Sequence, residues 1–411
     1  MRAWKWFAGG VIAAGLAWGC ASTKGKDQAT QGDVRAPRSS ADAQLASAKS
    51  VPASQRLMGN IEPVALFDGP MPTGVAASRQ GRIFVNYPKW GDDVDYTVAE
   101  IKNGRSIPFP SAEINQYQKG LEADTLVSVQ SVVVDPSDRL WIVDTGSIKF
   151  GPAMENGPKL VGVDLKTNRV IKTIHFPPDV ALKTSYLNDV RFDLRRGTGG
   201  MAFITDSAQK GPNGIIVVDL GTGRSWRRLH DHPSTKAEHI APMVEGEPLK
   251  MRPPVGPEQP MTMGSDGIAI SPDGKTLFYT PLIAHHLYSV SVDALADESK
   301  DDSAVAATVQ DLGDRGFASD GLGEDAQGRV YLTDYENNAI RRRGTDGSYE
   351  IIAQDPRMIW PDTIALGHDG YLYFTANQLN RQAQFHRGRD LRQRPFVLFR
   401  TRVDGMPLEA P

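Results

Sequence analysis

The chain has 411 residues, 46 basic against 49 acidic side chains, a net charge of −3 and a single cysteine. One thiol excludes a disulfide framework, a cysteine-based zinc site and an iron–sulfur cluster, each of which needs paired or clustered cysteines. With no basic excess to neutralise a phosphate backbone, nucleic acid is not expected as a partner.

Met1 to Trp6 carries Arg2 and Lys5, and Phe7 to Trp18 is uncharged and largely apolar. A short cationic start before an apolar run of this size reads as an export signal over residues 1–19, too short for an ordinary membrane span. Cys20 follows Leu16-Ala17-Trp18-Gly19, which resembles the lipobox of bacterial lipoproteins. That reading makes Cys20 a lipidation site and the N-terminal lipid the sole link to a membrane. Ala21 and Ser22 follow, with no aspartate to signal inner-membrane retention, so the outer membrane is the expected destination. An ordinary signal-peptidase site at Ala17-x-Gly19, giving a periplasmic or extracellular protein, and an uncleaved anchor are the other two readings. Residues 20–55 are rich in Ser, Ala, Gln and Lys and poor in large apolar side chains. They are expected to form a flexible tether reaching roughly 30 Å.

From residue 56 onward one frame recurs six times: a polar pair, an apolar-x-apolar step, a turn, then a strand with a central aromatic. The copies read PTGVAASRQGRIFV, VQSVVVDPSDRLWIVD, LNDVRFDLRRGTGGMAFITD, SDGIAISPDGKTLFYT, SDGLGEDAQGRVYLTD and PDTIALGHDGYLYFTA. Their first polar positions are Thr73, Gln130, Asn188, Asp266, Asp320 and Asp362, and their aromatics Phe84, Trp141, Phe203, Phe278, Tyr331 and Tyr373. The two positions are 11 residues apart in four copies, 12 in the fourth and 15 in the third. Further strand-like pairs follow, such as LVGVDL with VIKTIHF and AIRRR with YEII. Each copy therefore predicts a four-stranded antiparallel unit that cannot cover its own faces, whereas six arranged radially can. The expected fold is all-β: a six-bladed β-propeller over residues 56–411 around a central channel. Residues 57–68 are expected to supply the strand that closes the ring. The long insertion Leu229–Gly264, with seven prolines, reads either as a lid over one face or as a passive excursion.

If the polar pair opens each innermost strand, then Thr73, Gln130, Asn188, Asp266, Asp320 and Asp362 form a ring in the channel, with Asp189 adjacent. Three carboxylates converging there repel one another and call for a hard cation, a protonated amine or protons of their own. Asn188, Asp266 and Asp320 are the candidate metal ligands, for calcium or another divalent cation. The competing reading is that Asp-Gly and Asn-Asp are turn dipeptides bonded to nearby amides. For Asp144, Asp206 and Asp334, at strand ends, that capping role is expected. His285 and His286, adjacent on a strand, point to opposite faces and cannot chelate together. His230 and His232 could, but nothing else fixes their loop. No nucleophile elbow, phosphate-binding loop, zincin helix or dinucleotide fingerprint is present.

The stretches VQSVVVDPSDRLWIVDTG, YLNDVRFD, GIIVVDLGTGRSWRRL, GSDGIAISPDG and WPDTIALGHDGYLYFTANQLNR resemble the major royal jelly and Yellow protein family, in family order from Ile61 to Val403. The resemblance implies a secreted six-bladed propeller whose channel binds small molecules, among them biogenic amines, and in some members dopachrome-converting activity. It places ligand contacts near Asp362 and Asn377, with Leu379 standing where the family has an aromatic. A more distant resemblance is to the senescence-marker and gluconolactonase propellers. There Asn188, Asp266 and Asp320 match metal ligands, and Thr73 replaces the first-repeat Glu. The sequence thus leads to an exported propeller that binds a small amine or aromatic molecule in its channel. The alternatives are a metal-dependent lactonase or a tautomerase at the same ring, and a platform for protein partners.

Overall fold

The computed structural model describes residues 57–411 together with the backbone of Val34 and Arg35. Six sheets, each of at least four antiparallel strands, are arranged in a ring. Blade 1 uses Val75–Ala77, Ile83–Asn86, Val98–Lys102 and Arg105–Pro108; blade 2 uses Val129–Val134, Arg139–Thr145, Pro158–Asp164 and Arg169–His175. Blade 3 comprises Leu187–Asp193, Met201–Asp206, Gly214–Asp219 and Ser225–Arg228; blade 4 comprises Ser265–Ile270, Thr276–Pro281, His286–Ser291 and Gln310–Asp314. Blade 5 holds Leu322–Glu324, Val330–Asp334, Ala339–Arg343 and Tyr349–Gln354. The innermost strands touch their neighbours in cyclic order, so the six-bladed expectation holds.

Closure also follows the sequence reading. Ile61–Phe67 pairs antiparallel with Phe396–Arg402, beside Tyr371–Ala376 and Pro361–Leu366 in blade 6. N- and C-terminal parts of the domain therefore share one sheet, which removes the exposed edge an open ring would carry. Val34 and Arg35 pair with Phe67 and Leu66 on the outer edge of that sheet. The rest of the expected export signal and tether, Cys20 included, lies outside the described residues. Among the described residues no helix is long and apolar enough to cross a membrane.

The core lies between blades. Phe84, Trp141, Phe203, Tyr331 and Tyr373 are buried there. Blade 4 departs from this pattern: Phe278 is half-buried, and the next residue, Tyr279, fills the core on the opposite strand face and bonds Ser234 through its hydroxyl. Successive strand residues face opposite sides, so one position decides which aromatic is inside.

Candidate functional site

The ring residues sit where the strand ladders break. The innermost strands of blades 2, 3, 4 and 6 shift register between Val129 and Ser131, Leu187 and Val190, Ser265 and Ile268, and Pro361 and Ile364. Gln130, Asn188, Asp266 and Asp362 fall inside these bulges, which free a residue from the ladder and re-aim its side chain. Asp320 lies just ahead of the blade 5 ladder. The amides freed in this way are caught by threonines of the second strands. Thr205 Oγ1 accepts from Asp189 N (3.2 Å), Thr333 Oγ1 from Asp320 N (3.0 Å) and Thr375 Oγ1 from Thr363 N (3.4 Å). Thr205 and Thr375 also donate to the next blade, to Asp266 O and Thr73 O, both at 2.6 Å.

The Asp-Gly pairs are not turns. Gly267 lies within a strand and Gly321 directly ahead of one, neither in the left-handed region, and a Cβ on them would fall 2.3 Å from Asp320 O and 2.4 Å from Asp362 O. Glycine is there because adjacent blades approach each other along the ring.

Gln130, Asn188, Asp266, Asp320 and Asp362 line one cavity at this mouth of the channel. All five are buried. Asp266 and Asp320 share a hydrogen bond, and Trp360 Nε1 donates to Asp320 Oδ2 at 2.7 Å. Burial pushes the Asp320 carboxyl up to about 6, against the two bonds that favour its ionised form. Asp266 is driven well above the usual carboxylate range by burial first and then by repulsion from Asp320 and Asp362. Asp362 is raised likewise by burial and by Asp320, although Asn377 Nδ2 (2.6 Å) and Thr363 Oγ1 (3.0 Å) both donate to it. Among the described residues no Lys, Arg or His forms an ion pair with any of the three. The three carboxyls therefore titrate as a coupled cluster whose ionised form is disfavoured by burial and mutual repulsion, a cost that a bound cation would relieve.

Three residues expected in or beside the ring lie elsewhere. Thr73 turns into the blade 1–blade 2 seam, where it accepts from Asn86 Nδ2 at 2.8 Å and donates to Gln130 O at 3.3 Å. Asp189, one residue deeper than Asn188, accepts from Ser131 Oγ at 2.7 Å and pairs with buried Arg191 at 2.8 Å. It lines a second cavity of about 100 Å³ toward the opposite mouth, with Glu324, Pro407 and Leu408. Arg191 also reaches Glu324 (3.1 Å) and Leu322 O, so this ion cluster plugs the channel below the ring. Asn377 does not line the ring cavity; it orients Asp362 and bonds Pro72 O at 3.1 Å.

The roof was legible from the sequence only as the 229–264 lid; its individual residues were not. Trp90, Phe150, Gln209, Met261, Met263, Leu282, Leu379, Gln382 and Gln384 complete the lining. Trp90 stacks on Phe150 (centroids 5.1 Å apart), and its indole donates to Tyr186 Oη at 2.6 Å. Tyr186 in turn donates to Gln130 Oε1 at 3.0 Å. Trp360 stacks on Tyr335 at 4.1 Å and 9°. The 229–264 insertion covers this mouth. Its Val244, Leu249, Met261 and Met263 are buried with Tyr186, Leu282, Tyr335 and Trp360. It is pinned by Glu245 to Arg381 Nε (2.8 Å) and by Glu238 to His286 Nδ1 (2.7 Å). His285 bonds Glu336 at 2.8 Å, so the two histidines take separate partners. His232 bonds Ser234 Oγ at 2.8 Å and His230 accepts from Arg227 Nε at 3.3 Å. Asp144, Asp206 and Asp334 cap backbone amides, as expected; Asp144, for one, accepts from Val127 N, Ser128 N and Gly146 N.

The donor set for a metal is oxygen only. Among the described residues no three His, Cys, Asp or Glu are grouped to hold an ion. Asn188, Asp266 and Asp320 would supply three of the six to eight oxygens that calcium takes, leaving the remainder to water or a ligand.

A six-bladed propeller with an acidic, roofed ring defines the structural class. The sequence profile described as "Major royal jelly protein" matches residues 127–408, more than half of the chain. The protein belongs to the major royal jelly protein family. It is 25% identical over 203 residues to major royal jelly protein 3 of Apis mellifera, covering 48% of this chain and 34% of that one. To the Yellow protein of Drosophila melanogaster it is 27% identical over 234 residues, covering 53% and 41%. These matches thus span less than half the length of either relative. Among solved structures, the calcium-binding protein regucalcin of Agrobacterium tumefaciens superposes with a TM-score of 0.51 at 14% identity, covering 86% of this chain and 97% of that one. A protein designated a gluconolactonase gives 0.52 at 12% identity, covering 92% and 99%. At such identities these two likenesses establish the fold alone.

Proposed function

We propose that this protein is an exported propeller that holds a small organic cation, an amine with an apolar or aromatic body, at the Asp266–Asp320–Asp362 ring. The observation that carries the reading is three buried, mutually repelling carboxylates without a basic partner. A primary ammonium brings one charge and three donors to such acceptors. Trp90 and Phe150, which line the cavity, add the aromatic environment that favours organic cations over hydrated ones. A thermal-shift screen tests this with primary arylalkylamines, their neutral alcohol counterparts, lactones and calcium. Amines are expected to raise the melting temperature and the alcohols to leave it unchanged; a flat response to every amine contradicts the reading.

The oxygen-only set of Asn188, Asp266 and Asp320 favours a second reading, a divalent-cation site serving a lactonase or tautomerase. In that case calcium at millimolar concentration stabilises the protein and Asn188→Ala removes the effect.

Export and anchoring through a lipid on Cys20 complete the proposal. Cys20→Ala is expected to move the protein from the membrane to the soluble fraction, and unchanged membrane retention would refute the lipid.

A further inference from the structure

The ring cavity measures only about 20 Å³, room for little more than one water. An organic cation therefore enters only when part of the roof moves. Most of the boundary is strongly held. Trp90, Phe150 and Tyr186 stack on one side, and Leu379 and Phe385 are buried in the same apolar cluster as Trp360. The Arg191–Asp189–Glu324 ion cluster blocks the channel below, with the C-terminal segment beyond it.

One side differs. Outside the roof, between the 209–213 loop and insertion residues 236–241 and 260–262, lies an open groove of about 780 Å³. That volume suits a small organic ligand. Gln209 and Met261 line both the groove and the ring cavity, so the two spaces meet at these side chains. Met261 is buried but unbranched, with three rotatable bonds, and can swing without moving backbone. Among the described residues the Gln209 side-chain amide has no hydrogen-bond partner. At the gate the seam is held by Thr262 Oγ1, which donates to Gln209 O at 2.7 Å, while Asp231 N bonds Asn213 O at 2.8 Å farther along the groove.

We propose that this groove is the outer part of the ligand site and the entrance to the ring, with Met261 and Gln209 as its gate and the Thr262–Gln209 bond as its latch. The groove holds the body of an elongated ligand whose cationic head reaches the ring. The inference rests on the ring being the binding site, but the route can be tested without any ligand.

In a Cys20→Ala background a reporter thiol is the sole cysteine of the chain. Leu282→Cys, or Met263→Cys if the first does not fold, places it in the ring cavity. The readout is its rate of modification by 2-aminoethyl methanethiosulfonate, a small cationic thiol reagent. Adding Met261→Ala or Thr262→Val is expected to raise this rate by roughly fivefold or more, as easier local opening would. A control thiol at Ala202→Cys, buried between blades 2 and 3, is expected to keep its rate, which separates a gate from general loosening. Unchanged labelling with both gate variants overturns the proposal. So does acceleration by removal of residues 405–411 alone, which would put the entrance at the opposite mouth. Neither outcome depends on whether amines bind, which the thermal-shift screen decides separately.

Discussion

Asp320→Asn protein is expected to melt higher than the wild type at pH 8 and to lose its affinity for organic cations. The two effects have one cause. Asp320 is raised from 3.8 to about 6 by burial, so ionising it costs the folded state free energy that the unfolded chain does not spend. A carboxyl whose folded pKa is raised stabilises the protein fully below its unfolded value, and that stability is lost as pH rises through the folded one. For Asp320 the window runs from about pH 4 to pH 6, and the raised Asp266 and Asp362 act in the same direction. The ligand-free wild type should thus be more stable at pH 5 than at pH 8. Asparagine keeps an acceptor for Trp360 Nε1 and removes the charge. The gain at pH 8 is on the order of 2 kcal/mol, vanishing below about pH 4. The same change removes the charge that a bound cation pairs with and should weaken binding by about 100-fold or more. Melting curves from pH 4 to 8, with and without an amine, check both halves. A variant that is destabilised at pH 8 would mean that Asp320 is held by favourable bonds rather than stressed by its neighbours.

Asp144→Ala should cost about 3–5 kcal/mol, the range for removing one partner of a buried ion pair. Lys159 and Asp144 meet at 2.8 Å with side chains 1% and 0% exposed. Asp144 also accepts from Val127 N (2.7 Å), Ser128 N (3.0 Å) and Gly146 N (3.0 Å). Its loss strands a buried ammonium, left with only the carbonyls of Glu122 and Gly157, and three amides as well. Lys159→Met should cost less, since the three amides go on satisfying the carboxylate. Combining it with Asp144→Ala should recover part of the loss, because no unpaired cation remains. Urea denaturation of the three variants measures this. A loss below about 1 kcal/mol in Asp144→Ala would show that water reaches the pair.

The repeat frame made the propeller readable because each blade must bury both faces, which imposes strand period and a constant phase on the sequence. It also placed Gln130, Asn188, Asp266, Asp320 and Asp362 together, since one register position per blade faces the channel. Its errors came from reading positions without bulges. Asp189 is next to Asn188 in sequence, yet at a bulge the two point to different depths, and Asp189 belongs to the Arg191 plug. Thr73 shares the phase but has too short a side chain, already engaged with Asn86, to reach the cavity. Asn377 acts through Asp362. Part of what was missed had a signal: Tyr186 and Trp360 stand two residues before Asn188 and Asp362, and Thr205, Thr333 and Thr375 recur as the next-to-last residues of their strands, two past the aromatics. Trp90, Phe150, Gln209 and Met261 had none, because they lie on loops whose course is set by tertiary packing rather than by any period.

The most direct test of the cation ring is a calorimetric titration of the wild-type protein with phenethylammonium at pH 5 and pH 8, beside its neutral counterpart phenylethanol. The ring account predicts binding at pH 8 that weakens at pH 5, where the cation must displace protons from Asp320 and its neighbours, and no measurable binding of the alcohol. Equal affinity for amine and alcohol, or amine binding indifferent to pH, would contradict it.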